Sequence, residues 1–169
     1  MKLVLLVVVG VAIFACKQTK EKAEIVEVEE VDLINDEFPE AKKEILETWN
    51  AIEQSLRDGD MDKLISFHAY GPKFTEFKNG EPRNDSKENE EFERNTFSQV
   101  TEVIKFDAND MHIAVFGDVA NVTMHTDFQL KFGENLVVVI DQMSLLFAKT
   151  NAGWKIVSEH HSPLLKNES

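Results

Sequence analysis

The sequence predicts an α+β domain in which helices come first and a long antiparallel meander follows. Three observations carry this: apolar residues at helical spacing in the first half, a change to strict alternation after about residue 100, and turn residues punctuating the alternating part. In "DEFPEAKKEILETWNAIEQSLRDGD", Ala41, Ile45, Trp49, Ile52 and Leu56 recur at intervals of three and four, which puts them on one stripe of a helix. Pro39 suits its first turn and Gly59 its stop.

Asp60 can cap a short second helix, "MDKLISFH", with Leu64 and Phe67 turned inward. "PKFTEFKNGEPR" predicts a hairpin around Asn79-Gly80, because that dipeptide accepts the positive φ angles of a tight turn. The charged run containing Phe92 and Phe97 predicts a third helix from about Lys87 to Ser98. Four strand-like runs then follow, separated by Gly117-Asp118, Gly133-Glu134 and Asn151-Ala152-Gly153.

Ahead of the domain stands "MKLVLLVVVGVAIFAC", one Lys and then an apolar run from Leu3 to Ala15 that ends at the single cysteine of the chain. Such a run is shorter than the ~20 apolar residues that span a bilayer, and it has the pattern of a signal peptide. Its end, "IFAC", resembles a bacterial lipoprotein signal, which implies acylation of Cys16 and a mature chain beginning there. Lys17, rather than Asp, follows the cysteine, and by the same resemblance this implies the outer membrane. The sequence therefore divides into a signal peptide at 1–15, an acidic tether at 16–37 and one domain at 38–169.

The 18 basic residues against 31 acidic ones give a net charge of −13, and loss of residues 1–15 would remove Lys2 alone, leaving −14. Phosphate backbones require clustered Lys and Arg, so nucleic acid is excluded as a partner. No HExxH, cysteine cluster, nucleophile elbow, phosphate loop or dinucleotide fingerprint occurs. The expectation is no metal and no cofactor.

The Trp49 helix, the helical pair split by "RDGD", the hairpin around "FTEF", a third helix and long strands ending in "GWKIVSEHHS" together resemble the nuclear transport factor 2-like superfamily. Within it the chain is most similar to SnoaL-like domains, whose last strand often reads Trp, a basic residue, Ile, Val, then a His followed by x-Ser. Here these are Trp154, Lys155, Ile156, Val157, His160 and Ser162, and the likeness spans residues 38–165. Ser158 stands where many members carry a histidine. The resemblance implies a cone of three helices over a strongly curved, mainly antiparallel sheet, a pocket between them, and homodimerisation through the outer sheet face. It does not imply one activity, since ketosteroid isomerases, scytalone dehydratases, polyketide cyclases, a kinase association domain and transport adaptors share the fold.

Alternation along the last strand would place Trp154, Ile156, Ser158 and His160 on the helix side and turn His161 away. On the neighbouring strand His125, Asp127 and Gln129 share a face, opposite Val122, Met124, Phe128 and Leu130. A His and an Asp two residues apart suit proton transfer if that face lines a cavity. Asp141 interrupts "LVVVIDQMSLLF", where a buried charge is costly unless it is paired, with Arg83 or Arg94 as available partners, or functional. Tyr70, Phe74 and Trp49 join His160 as candidate ligand contacts, with His68 and Glu76 behind them.

The function expected from the sequence is a lipid-anchored envelope protein, held at the membrane through Cys16, whose domain binds a small, partly apolar ligand or mediates dimerisation without turnover. The competing expectation is an isomerase, cyclase or dehydratase with Asp127 or Asp141 as base and His125, His160 or Tyr70 as proton donor. A third, pure protein interaction, predicts an apolar outer sheet bearing Val137, Val139 and Leu145.

Overall fold

The first helix, α1 (Pro39–Asp58), buries Ile45, Trp49, Ile52 and Leu56 along one stripe. It ends where Gly59 adopts φ 68° and its N–H reaches the Leu56 carbonyl, a conformation that costs a residue without Cβ little. Asp60 then accepts a hydrogen bond from the Lys63 N–H at 2.9 Å, capping α2 (Met61–Ile65). These observations come from a computed structural model, which describes residues 31–165. The predicted signal peptide, the lipidation site Cys16 and most of the tether lie outside the described residues. Among the described residues no helix is long and apolar enough to cross a membrane.

β1 (Thr75–Lys78) runs into a turn in which Asn79 and Gly80 both take positive φ, as their dipeptide predicts. The expected hairpin does not extend beyond it: the returning chain makes only the bridge between Glu76 and Asn84. Pro82, lacking an N–H, cannot continue a ladder, and β1 instead pairs in parallel with the last strand. α3 (Ser86–Phe97) opens with a capping box, Asp85 accepting from the Lys87 and Glu88 amides while the Glu88 side chain accepts from Asp85 N–H.

The four long strands, β2 (Glu102–Phe116), β3 (Val119–Phe132), β4 (Asn135–Thr150) and β5 (Gly153–Pro163), form an antiparallel meander, and the sheet order is β1-β5-β4-β3-β2. β3 sits second from one edge and alternates cleanly: Ala120, Val122, Met124, Thr126, Phe128 and Leu130 are all buried. Trp49 of α1 stacks on Phe106 of β2 and Phe128 of β3, with ring centroids 5.5 and 6.4 Å away. This stack fixes α1 across the inner face of the sheet.

Two features of the sheet decide what faces the helices. On β4 it is Val137, Val139, Asp141, Met143 and Leu145 that turn inward to line a cavity, so the expected outer apolar patch of Val137, Val139 and Leu145 is corrected. On β5 the register slips: Leu146 pairs with Ser158 but Phe147 with Ile156, leaving Val157 as an extra residue. Such a bulge shifts the alternation by one. Trp154 and Ile156 stay inside, but Glu159 and His161 follow them while His160 is exposed. The expected orientation of the two histidines is thus inverted.

Candidate functional site

Between the helices and the inner sheet face lies a cavity of about 230 Å³. One side is apolar, with Trp49, Phe106, Phe128, Leu130, Met143 and Leu145 among its walls, and exposed Phe92 and Val137 mark where it meets solvent. The other side carries ionisable groups from four elements. His68 follows α2, Lys78 ends β1, Glu93 projects from α3, and Glu159 and His161 come from β5 beyond the bulge.

Glu159 is the hub. One carboxylate oxygen lies 2.7 Å from His68 Nε2, the other 3.3 Å from His161 Nε2, and the residue is 4 % exposed. Glu76, buried beneath, accepts from Asn84 Nδ2 at 2.8 Å and lies 4.0 Å from both His161 Nε2 and Lys78 Nζ. The His68 ring is held flat against Tyr70, centroids 5.0 Å apart and planes within 3°, and edge-on to Phe74. Tyr70 in turn donates its hydroxyl to Asn89 Oδ1 on α3. One donor atom each from His68, Glu93 and Glu159 lie within 4.8 Å of one another, and so do atoms of Glu76, Glu159 and His161.

Proximity sets the charges. Burial alone would push His68 down, but the Glu159 carboxylate overrides it and raises the imidazole to about 9. Burial likewise opposes ionisation of Glu159, and the two imidazoles beside it overcome that and hold it well below the usual carboxylate range. His161 is raised against burial by its hydrogen bond to Glu159. Glu93 goes the other way. Burial of its carboxyl and the charge on Glu159 lift it from 4.5 to about 7, with His68, His161 and Lys78 only partly opposing. The Tyr70 phenol is pushed up, first by burial and then by Glu93. The site therefore couples a fixed ion pair, His68 with Glu159, to a carboxyl able to gain or lose a proton near neutrality.

The SnoaL-like domain family profile matches residues 45–166, most of the chain. This chain belongs to the SnoaL-like domain family. Among solved structures it is similar to a candidate dehydratase of the nuclear transport factor 2-like family from Streptomyces avermitilis (TM-score 0.66, 23% identity, covering 76% of this chain and 99% of that one). It is similar also to a nuclear transport factor 2-like superfamily protein from Salmonella enterica (0.65, 20%, 76% and 94%) and to a candidate aromatic ring hydroxylase from Novosphingobium aromaticivorans (0.65, 14%, 78% and 94%). At these identities the likeness is one of fold. No curated protein sequence matches the chain.

Against the SnoaL-like frame, the residues singled out from the sequence part company. Trp49 lines the cavity, and Asp141 does so from β4. Tyr70 and Phe74 lie behind His68 and orient its ring. His160 points away, near exposed Phe77. His125 and Asp127 face the outer side of β3, where Asp110 engages the His125 ring at 2.8 Å and Lys105 reaches Asp127 at 2.5 Å, so neither is at the cavity. Arg94 pairs with Asp62 and Glu90 rather than with Asp141. Glu93, Glu159 and His161 were missed as site residues, while His68 and Glu76 stand at its centre. Glu93 could have been found: it falls one turn after Asn89 and one before Phe97, on the inward stripe of a helix that is otherwise charged.

The charges make stability pH-dependent with a definite sign. Glu93 binds its proton more tightly folded than unfolded, so its contribution is lost as pH rises from 4.5 to about 7. His68 contributes fully below 6.5, and that is lost as pH climbs through about 9. Glu159, being lowered, contributes above its ordinary 4.5 and loses this in acid. The melting temperature should peak in mildly acidic buffer and fall toward pH 10, and Glu93→Gln should remove the part of the fall below about pH 7. Calorimetric scans across that range check it, and a flat profile would contradict the assigned shifts.

Proposed function

We propose that this SnoaL-like domain catalyses proton transfer on a small, largely apolar molecule held in the cavity, in the manner of an isomerase, cyclase or dehydratase. The observation that supports this best is Glu93: a carboxyl poised near neutrality, opening on an apolar cavity beside an ionised His68–Glu159 pair. In this reading Glu93 takes up and returns the proton at its carboxylate oxygens. His161 and His68 supply positive charge toward developing negative charge, and Glu159, which takes the Nε2 of each, keeps both imidazoles in place. Tyr70 acts through His68 by fixing its ring. The acid–base residues are thus not the Asp127 and His125 expected from the sequence.

The remaining parts of the proposal rest on the sequence. The apolar run ending at Cys16 supports a lipid anchor in the cell envelope, with the outer membrane favoured by Lys17. Family resemblance supports a homodimer.

The test is exchange of carbon-bound protons. Small cyclic ketones incubated in D₂O with the protein should lose α-proton signal by NMR, and Glu93→Gln should slow the exchange about 10²–10⁴-fold. Exchange undiminished in that variant, or absent for every ketone, would remove Glu93 from the mechanism.

A further inference from the structure

Asp141 is the group in the cavity that the acid–base array leaves unexplained. It lies on β4, 9 % exposed, among Val139, Met143 and Phe128, and it lines the cavity. Its cross-strand neighbour Thr126 is buried, but the Thr126 hydroxyl bonds the Asp141 backbone N–H, at 3.3 Å, not the carboxylate. Among the described residues the Asp141 carboxylate has neither an ion pair nor a hydrogen bond. Its oxygens reach the cavity rather than being sealed in the core, and a carboxylate among apolar walls with no protein donor favours whatever brings one.

The surrounding charge says what kind of donor fits. Glu76, Glu93, Asp141 and Glu159 face at most three cations, Lys78, His68 and His161. Lys78 is engaged elsewhere, its Nζ standing 3.2 Å from the Phe92 ring centroid and 4.0 Å from Glu76, while both imidazoles turn to Glu159. With Glu93 holding its proton the charges balance in number, but all three cations are turned to other partners and none pairs with Asp141, which shares the cavity with the stacked rings of Trp49, Phe106 and Phe128. Aromatic faces tolerate a cation and repel an anion. The volume sets the size: since an apolar cavity of about 150 Å³ holds benzene, about 230 Å³ takes one ring with a short arm.

We propose that Asp141 is a recognition residue that binds the ammonium group of a small amine with a single-ring apolar body. This inference rests on the cavity being a ligand site and names the class of molecule it selects. Asp141 in this role touches the ligand without moving a proton.

The test uses the full chain at pH 7 and three matched probes, phenethylamine, 2-phenylethanol and 3-phenylpropanoate, titrated by calorimetry. The amine should bind at least tenfold more tightly than the other two, and Asp141→Asn should erase that preference. The same variant should melt higher than the parent when free of ligand, because it removes an unpaired charge from among apolar walls. This readout does not depend on any probe. Glu93→Gln should retain the amine preference, so loss of proton exchange in that variant and loss of amine selectivity are separable. Equal affinities, a preference for the carboxylate, no saturable amine binding, or selectivity that follows Glu93 rather than Asp141 would each overturn the assignment.

Discussion

Glu159→Gln will cost the domain about 3–5 kcal/mol, because removing one charge from a buried ion pair strands the other. The residue holds His68 at 2.7 Å and His161 at 3.3 Å, and the His68 side chain is only 3 % exposed. With a neutral amide there, burial acts on His68 opposed only by Glu93 and the Ile65 carbonyl, so its imidazole should drop well below about 9. Glu93 would lose the repulsion that helps raise it. Urea unfolding reads the stability loss and NMR titration of the ring reads the charge. An unshifted midpoint would mean that water, not Glu159, compensates the imidazole. Replacing both members, His68→Phe with Glu159→Leu, should recover much of the loss, since an apolar pair strands no charge.

That such a cluster exists was hidden by one residue of backbone. The alternation of "GWKIVSEHHSP" is regular in sequence, and a strict period of two sends His160 to the cavity and Glu159 to solvent. The extra residue at Val157 reverses this for everything after it, and nothing in the local residue types announces a bulge. Its cause is tertiary: β5 must pair with β4 on one side and accept β1 on the other, with Ile156 bridging to His68. β3 was legible because its inward residues are apolar apart from Thr126, so packing and pattern agree. α1 was legible for the same reason. The parallel pairing of β1 was not, since a four-residue strand carries no signal of its partner, and Pro82 closed off the hairpin that the Asn79-Gly80 turn invited. Asp141 was legible as an anomaly in an apolar run, although its neighbours across the sheet were not.

Trp49→Ala should destabilise the domain by about 3–5 kcal/mol, the range for removing a large aromatic from a core. Trp49 is 7 % exposed and its ring stacks on Phe106 and Phe128, which themselves lie 4.0 Å apart and nearly parallel. Those stacked contacts add about 0.5–1.5 kcal/mol per pair beyond area. They are also the only ring stacking that ties α1 to the sheet among the described residues. A domain of this kind has about 5–15 kcal/mol in all, so the loss would be visible as a large shift of the urea midpoint. Trp49→Phe, which keeps a ring in the stack, should cost well under half as much. The comparison bears on function because the same indole is a wall of the cavity: Trp49→Phe should fold yet bind phenethylamine more weakly, whereas unchanged affinity would place the ligand's ring away from α1 and against β4.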